Sequence, residues 1–260
     1  MRLACYSVQS KMQSIVEING LHVKYGAFEA VRGVDLTLGK GEIVGVVGES
    51  GSGKSTIART LMGLEKPSAG TIINRSKSTQ MIFQDAVGSL NPRMTVRSTL
   101  KEALAHFGRW HSAREGEELL RTLLARVGLG EAVLAQYPLE LSGGQCQRIS
   151  IARALACEPD VLVADEPVSA LDVSVQARIL NLIRALRREL GLSILLIAHD
   201  LAVVKNVCDR IYVMGKGVFV DQGPSETVFT SPQSDYTKRL LQAVPTVNIP
   251  NRVDAKNQNF

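Results

Sequence analysis

Aromatic side chains are scarce in this 260-residue chain, which holds one tryptophan, five tyrosines and six phenylalanines. So thin a supply argues against a surface that stacks nucleic-acid bases, because such surfaces interleave aromatic with basic residues. Cysteine is sparser still: Cys5, Cys146, Cys157 and Cys208 lie scattered, without C-x-x-C or metal-ligand spacing. That pattern excludes a disulfide framework and fits free, mostly buried thiols in a reducing compartment. Long apolar runs are missing too. EIVGVVG, VLVAD and SILLIAH stop well short of the roughly 18–20 residues of a membrane span, so any membrane role is peripheral. No internal repeat is visible.

What remains is a globular composition, 45% hydrophobic and ample for a buried core. The net charge of +5 would suit an anionic partner. The basic residues, however, fall along helical stretches such as RALRREL, where a solvated face accounts for them.

Along the chain, IVEINGLHVKY and VDLTL alternate apolar with polar residues, which predicts antiparallel strands before the turn GKGE. EIVGVV then reads as a strand buried on both faces, and it runs through GESGSGKST into the helix former TIARTLMGL. From Asp85 to Glu158 strands vanish. RSTLKEALAHF and REGEELLRTLLARVGL space their apolar residues three and four apart, so this stretch is expected to be a helical subdomain.

Parallel-sheet signals return as VLVAD and SILLIAH. Between them VQARILNLIRALRREL carries Val175, Ile179, Leu182, Ile183, Leu186 and Leu190 on one face and can end at Gly191, a βαβ crossover. IYVMGKGVFVDQG predicts a hairpin turning at Gly215-Lys216-Gly217. SETVFTSPQSDYTKRLLQAV then offers a short helix or two, and PTVNIPNRVDAKNQNF a loose tail. Residues 1–13 read as a disordered lead-in with Met12 as a candidate start, since no apolar core precedes Leu3-Ala4-Cys5.

Gly48, Gly53, Lys54 and Ser55 satisfy G-x-x-x-x-G-K-[ST], with a strand before and a helix after. In that context Gly48, Glu49, Ser50, Gly51, Ser52, Gly53 and Thr56 form a loop whose backbone N–H groups can close on phosphates. Lys54 can reach the β- and γ-phosphates, and the Ser55 hydroxyl can ligate Mg²⁺. VLVADE ends a buried strand on Asp165 and Glu166, where two acids are costly without a cation. Beside Mg²⁺, Asp165 can hold the metal and Glu166 can deprotonate an attacking water. His199 ends its strand as Asp165 does, so both tips face the crevice where parallel sheets bind ligands. Gln84 follows the apolar TQMIF.

A second glycine-bearing device, LSGGQ at 141–145, opens a helix about ninety residues later. Ser142, Gly143, Gly144 and Gln145 give that helix an N-terminus with free N–H groups and little bulk, an anion site by physical chemistry. A serine N-cap explains the serine alone, since glycines weaken a helix start unless close approach is wanted.

GESGSGKST, Gln84, LSGGQ, VLVADE, Ser169-Ala170-Leu171-Asp172 and His199 occur in that order along most of the chain. Together they resemble the ATP-binding subunit of an ABC transporter. The resemblance implies an α/β P-loop NTPase cassette with a RecA-like core sheet, an antiparallel β subdomain and an inserted helical subdomain. Expected bounds are an antiparallel part plus phosphate loop at 14–84, helical subdomain at 85–158, catalytic strands at 159–230 and a C-terminal helix and tail at 231–260.

It also implies an ATPase that uses ATP and Mg²⁺, the metal held by Ser55, Gln84 and Asp165, with Glu166, His199 and Lys54 catalytic. Tyr25 would stack on adenine, His199 would hold the γ-phosphate, Gln84 would sense Mg²⁺ and the permease, and Asp172 would link two sites. Two cassettes would pack head to tail, so that LSGGQ of one completes the nucleotide site of the other.

QDAVGSLNPRMTV and GPSETVFTSPQSDYTKRLLQAVP are similar to the branch that imports oligopeptides, dipeptides or nickel. The implied partners are a second ATPase subunit, two transmembrane permeases and an extracytoplasmic substrate-binding protein, with the chain at the cytoplasmic face of the inner membrane. A heterodimer is favoured by resemblance, although one chain carries both halves of a composite site. Three positions depart from the branch: INRSKSTQ is short, Cys146 stands where a basic residue is common, and Val168 replaces a threonine. Cys146, next to the nucleotide interface, sets a conditional expectation: a thiol reagent should slow turnover if the thiol is exposed there. The alternative is a nucleic-acid- or ribosome-associated ABC ATPase, but the chain lacks a long heptad arm, a second cassette and an aromatic-basic patch.

Overall fold

A computed structural model describes residues 14–243. The lead-in, Met12, Cys5 and the C-terminal tail lie outside the described residues. Strands β1 (Ser14–Tyr25) and β2 (Phe28–Gly39) form a hairpin that pairs Tyr25 with Phe28 at its tip, and β4 (Ala69–Asn74) joins β1 antiparallel. Alternation predicted the antiparallel pair β1 and β2; β4 makes it a three-stranded sheet.

The second sheet has six strands, ordered β5 (Thr79–Ile82), β6 (Val161–Asp165), β7 (Ser193–Ala198), β3 (Ile43–Val47), β8 (Arg210–Gly215) and β9 (Val218–Pro224). All neighbours are parallel except β8 and β9. Every residue of β3, β6 and β7 is buried, which is why these segments read as unbroken apolar runs.

Because side chains alternate across a strand, each run serves two cores. Ile43, Val47, Leu162, Ala164, Ile194 and Leu196 lie in one core with the helices of residues 96–205, while Val44, Val46, Val161, Val163, Leu195 and Ile197 face the antiparallel sheet and helix α1 (Lys54–Leu61).

The helical insertion consists of α2 (Val96–His106), α3 (Ala113–Arg126), two short 3₁₀ turns and α4 (Gly143–Leu155). Thr95 and Ser112 cap α2 and α3 by accepting backbone N–H groups of Ser98 and Glu115. The crossover helix α5 (Val173–Leu190) starts on an Asp172 cap, which accepts the Val175 amide at 2.9 Å, and ends at Gly191 with φ +67°. Ile179, Ile183 and Leu186 of its predicted face are buried, whereas Leu190 is exposed at the helix end. Helices α6 (Leu201–Lys205), α7 (Ser225–Thr230) and α8 (Asp235–Gln242) complete the described residues.

The β8–β9 turn is two residues long, Lys216 and Gly217, both at positive φ, the conformation whose twist matches a hairpin. The short segment before β5 does not break the sheet edge. Asn74 Nδ2 donates to Thr79 Oγ1 at 2.9 Å, Lys77 N donates to Asp160 Oδ2 at 2.7 Å, and β5 pairs with β6 along its whole length.

Candidate active site

The tips of β6, β7 and β3 are adjacent in the sheet, so whatever follows them converges. After β3 the chain turns through the glycine loop into α1. Two of its glycines are sterically required. A Cβ at Gly48 would lie 2.1 Å from the Met214 carbonyl oxygen, and one at Gly53, whose φ is +110°, would lie 2.4 Å from that of Ala30. Lys54, only 4% exposed, donates from Nζ to the carbonyl oxygens of Gly48 and Glu49, both at 2.9 Å. Burial pulls the Lys54 ammonium below the usual lysine range, against the opposing pull of Glu166 and Asp165.

Asp165 ends β6 and is 3% exposed. Its Oδ1 accepts the Ser55 hydroxyl at 2.9 Å, yet burial pushes its carboxyl above the ordinary aspartate range, a larger effect than the hydrogen bond that opposes it. Glu166 follows with φ +46°, the left-handed region that costs a non-glycine residue about 1–2 kcal/mol. Three bonds hold it there: its N–H donates to Ile197 O at 3.0 Å, and its carbonyl accepts Ser169 N and Oγ, both at 3.2 Å. The turn aims the carboxylate back over the loop. Gln84 Nε2 donates to Oε2 at 3.0 Å, Lys54 Nζ stands 3.9 Å from Oε1, and His199 Nδ1 stands 3.8 Å from Oε2.

These groups border a cleft of about 560 Å³. Tyr25, Glu49, Ser50, Gly51, Gly53, Lys54, Ser55, Thr56, Gln84, Glu166 and His199 line it, with Gly48, Ser52 and Asp165 tied into the loop or beneath it. Phe28 and Ala30 also line the cleft. Tyr25 and Phe28 are both largely exposed at the hairpin tip, so two rings, not one, offer a face to a base. A buried lysine at the loop, a carboxylate held over it and an aromatic mouth can bind a nucleoside triphosphate and activate water against its end.

Ser142, Gly143, Gly144, Gln145 and Asp172 are not in this cleft. Ser142 is the N-cap of α4: its hydroxyl accepts Gln145 N at 3.3 Å, and Gln145 Oε1 accepts Ser142 N at 2.9 Å. Gly144 has a close approach within its own chain, since a Cβ there would lie 2.7 Å from Val175 Cγ1 of α5. Part of the glycine requirement is therefore helix packing, a cause the sequence did not reveal.

Cys146 does not meet the condition set for it. It is fully buried, its thiol donates to Pro138 O at 3.4 Å, and burial raises its pKa, so reagents have no access to it in the folded chain. Cys208 is likewise buried and its thiol pushed up. Sequence reasoning also missed Tyr236, whose hydroxyl accepts the Glu49 amide at 3.2 Å; amphipathic spacing marked its helix but gave no hint of that partner.

Residues 31–169 match the family model described as ABC transporter. An oligopeptide transport ATP-binding protein OppF of Lactococcus lactis is 46% identical, aligned over 89% of this chain and 77% of its own length. The protein of the same name from Escherichia coli is 47% identical over 84% of this chain and 70% of its own length. Among solved structures, a dimeric post-hydrolysis state of the ATP-binding cassette MJ0796 bound to ADP and Pi superposes with a TM-score of 0.72. It is 28% identical, over 81% of this chain and 98% of that one. With the loop, the paired acids and the α/β sheet already in hand, these matches make the chain a member of the ABC transporter family and an ATPase of its ATP-binding cassettes.

Proposed function

We propose that this chain is the ATP-hydrolysing subunit of an importer of oligopeptides, and that Glu166 is its general base. The observation that carries the reading is the Glu166 carboxylate, turned over Lys54 by a strained backbone and braced by Gln84 and His199. The relatives are oligopeptide transport proteins, which favours peptides over nickel complexes within the branch.

In this reading the loop amides and Lys54 bind the triphosphate, and Tyr25 with Phe28 covers the base. Glu166 takes a proton from water as its oxygen attacks the γ-phosphorus, the bond to the bridging oxygen breaks, and ADP leaves. His199 orients the γ-phosphate from the neighbouring strand tip. Ser55 and Asp165 offer two hard oxygen ligands already 2.9 Å apart, and the raised Asp165 carboxyl is what a small hard cation would relieve. No cluster of three or more His, Cys, Asp or Glu competes for a metal among the described residues. Bound there with the Gln84 amide oxygen, Mg²⁺ would neutralise phosphate charge.

The Ser142 helix tip, outside its own cleft, serves the triphosphate of a second cassette, either another copy or a related subunit. Its Gly143 and Gly144 amides have no intrahelical acceptors, as at any helix start. The solved relative is itself a dimer. Among the described residues no helix is long and apolar enough to cross a membrane, so permease subunits must supply the passage.

A groove of about 720 Å³ between the Gln84 segment and α2, bordered by Phe83, Asp85, Thr99, Glu102 and Phe107, is where we dock the permeases. A substrate-binding protein outside the membrane and a cytoplasmic-face location complete the proposed system, with domain bounds as expected from the sequence. Glu166→Gln should keep MgATP affinity while lowering turnover at least about a hundredfold, the scale of a lost general base. Near-normal phosphate release by that variant would place the base elsewhere.

A further inference from the structure

The phosphate loop is gripped from outside by the C-terminal third of the chain, beyond the residues that the family model matches. Gly217 N donates to Ser52 O at 3.0 Å, and Gly217 O accepts Arg32 N at 2.8 Å, which wedges the β8–β9 turn between loop and β2. On the other flank, Glu49 N donates to the Tyr236 hydroxyl. Tyr236 is itself fixed. Its ring lies against Gly215, where an added Cβ would be 3.5 Å from Cε1, and Asp221 accepts the amides of Gln233 and Ser234 at 2.9 and 3.2 Å, setting where α8 begins.

One peptide unit links these contacts to the chemistry. The Gly48 carbonyl and the Glu49 N–H belong to the same planar trans peptide, so they point in opposite directions. The N–H is held by Tyr236, and the carbonyl accepts Lys54 Nζ. Rotating that plane would release both at once.

We infer that Tyr236 is a positioning residue for nucleotide binding: by fixing the Gly48–Glu49 peptide it holds the carbonyl that anchors the Lys54 ammonium. The inference rests on the reading that this loop binds MgATP. Burial raises the Tyr236 hydroxyl above its ordinary range, so it stays neutral at physiological pH and can accept the Glu49 amide steadily.

The test is equilibrium binding of MgATP to the full chain, read by displacement of a fluorescent ATP analogue, with steady-state kinetics alongside. Tyr236→Phe removes one oxygen and keeps the ring. It should weaken MgATP binding about threefold to tenfold, the scale of one hydrogen bond, raise KM by the same factor and leave kcat within about twofold. Asp221→Asn, which loosens the start of α8 without touching the ring, should move affinity in the same direction. Lys238→Ala, on the exposed side of α8, should move nothing. Wild-type affinity in Tyr236→Phe, or a loss of kcat with affinity intact, would overturn the inference. A wild-type chain that does not bind MgATP would overturn the functional reading itself, and this inference with it.

Discussion

Asp165 places a carboxyl group at the end of a strand otherwise made of Val161, Leu162, Val163 and Ala164. Its folded-state pKa lies above the unfolded one, so its ionised form opposes folding, and the opposition grows as pH rises from the unfolded value through the folded one. At any pH above the folded value the nucleotide-free chain bears that cost in full. Asp165→Asn should therefore raise the unfolding temperature without nucleotide, by roughly 1 kcal/mol or about 2–4 °C, while removing the extra stabilisation that MgATP gives. Thermal melts with and without MgATP read both effects; an unchanged or lower midpoint would mean that the carboxylate is adequately solvated. Lys54, Asp165 and Glu166 were legible in the sequence because their chemistry demands particular residue types at strand tips. The burial of Cys146 was not legible for the converse reason: it lies one helical turn from Ser142, and what covers its thiol is the Pro138 segment, a packing contact that no local residue pattern encodes.

At the scale of elements, the start of α4 has two demands on one residue. An alanine at Gly144 would gain about 0.5–1 kcal/mol of helix propensity, but its Cβ would strike the stiff, β-branched Val175, and overpacking costs about 1–3 kcal/mol. Overpacking should win, so Gly144→Ala should melt a few degrees lower, and adding Val175→Ala should restore the midpoint. Turnover separates the roles. If Gly144 also admits a neighbouring triphosphate, the double variant should be stable yet still slow, whereas recovered turnover would confine Gly144 to packing α4 on α5. The sequence marked both helices, since apolar spacing and a glycine-bearing start are local signals. It could not reveal that the two starts touch, because nothing local encodes which helix ends become neighbours. Tyr236 was hidden more deeply, by the 187 residues that separate it from Glu49.

At the scale of the whole molecule, the parallel strands put the loop, Glu166, Gln84 and His199 in one cleft with Asp165 bonded to Ser55 of its lining, while the Ser142 tip lies outside it. In the proposed head-to-tail arrangement the chain lacks one wall of its own site, and complementation between two defective copies tests that directly. Lys54→Ala disables the loop but leaves the helix tip; Ser142→Arg blocks the tip but leaves the loop. Under conditions where the wild-type chain hydrolyses ATP unaided, each variant alone should be inactive. Their equal mixture should regain roughly a quarter of wild-type turnover, since half the two-fold dimers would be mixed and each mixed dimer keeps one intact site of two. Recovery that rises with protein concentration would trace the missing wall to a second copy. Full turnover by Ser142→Arg alone would mean that each cleft works by itself, leaving LSGGQ as a capping and packing motif of α4.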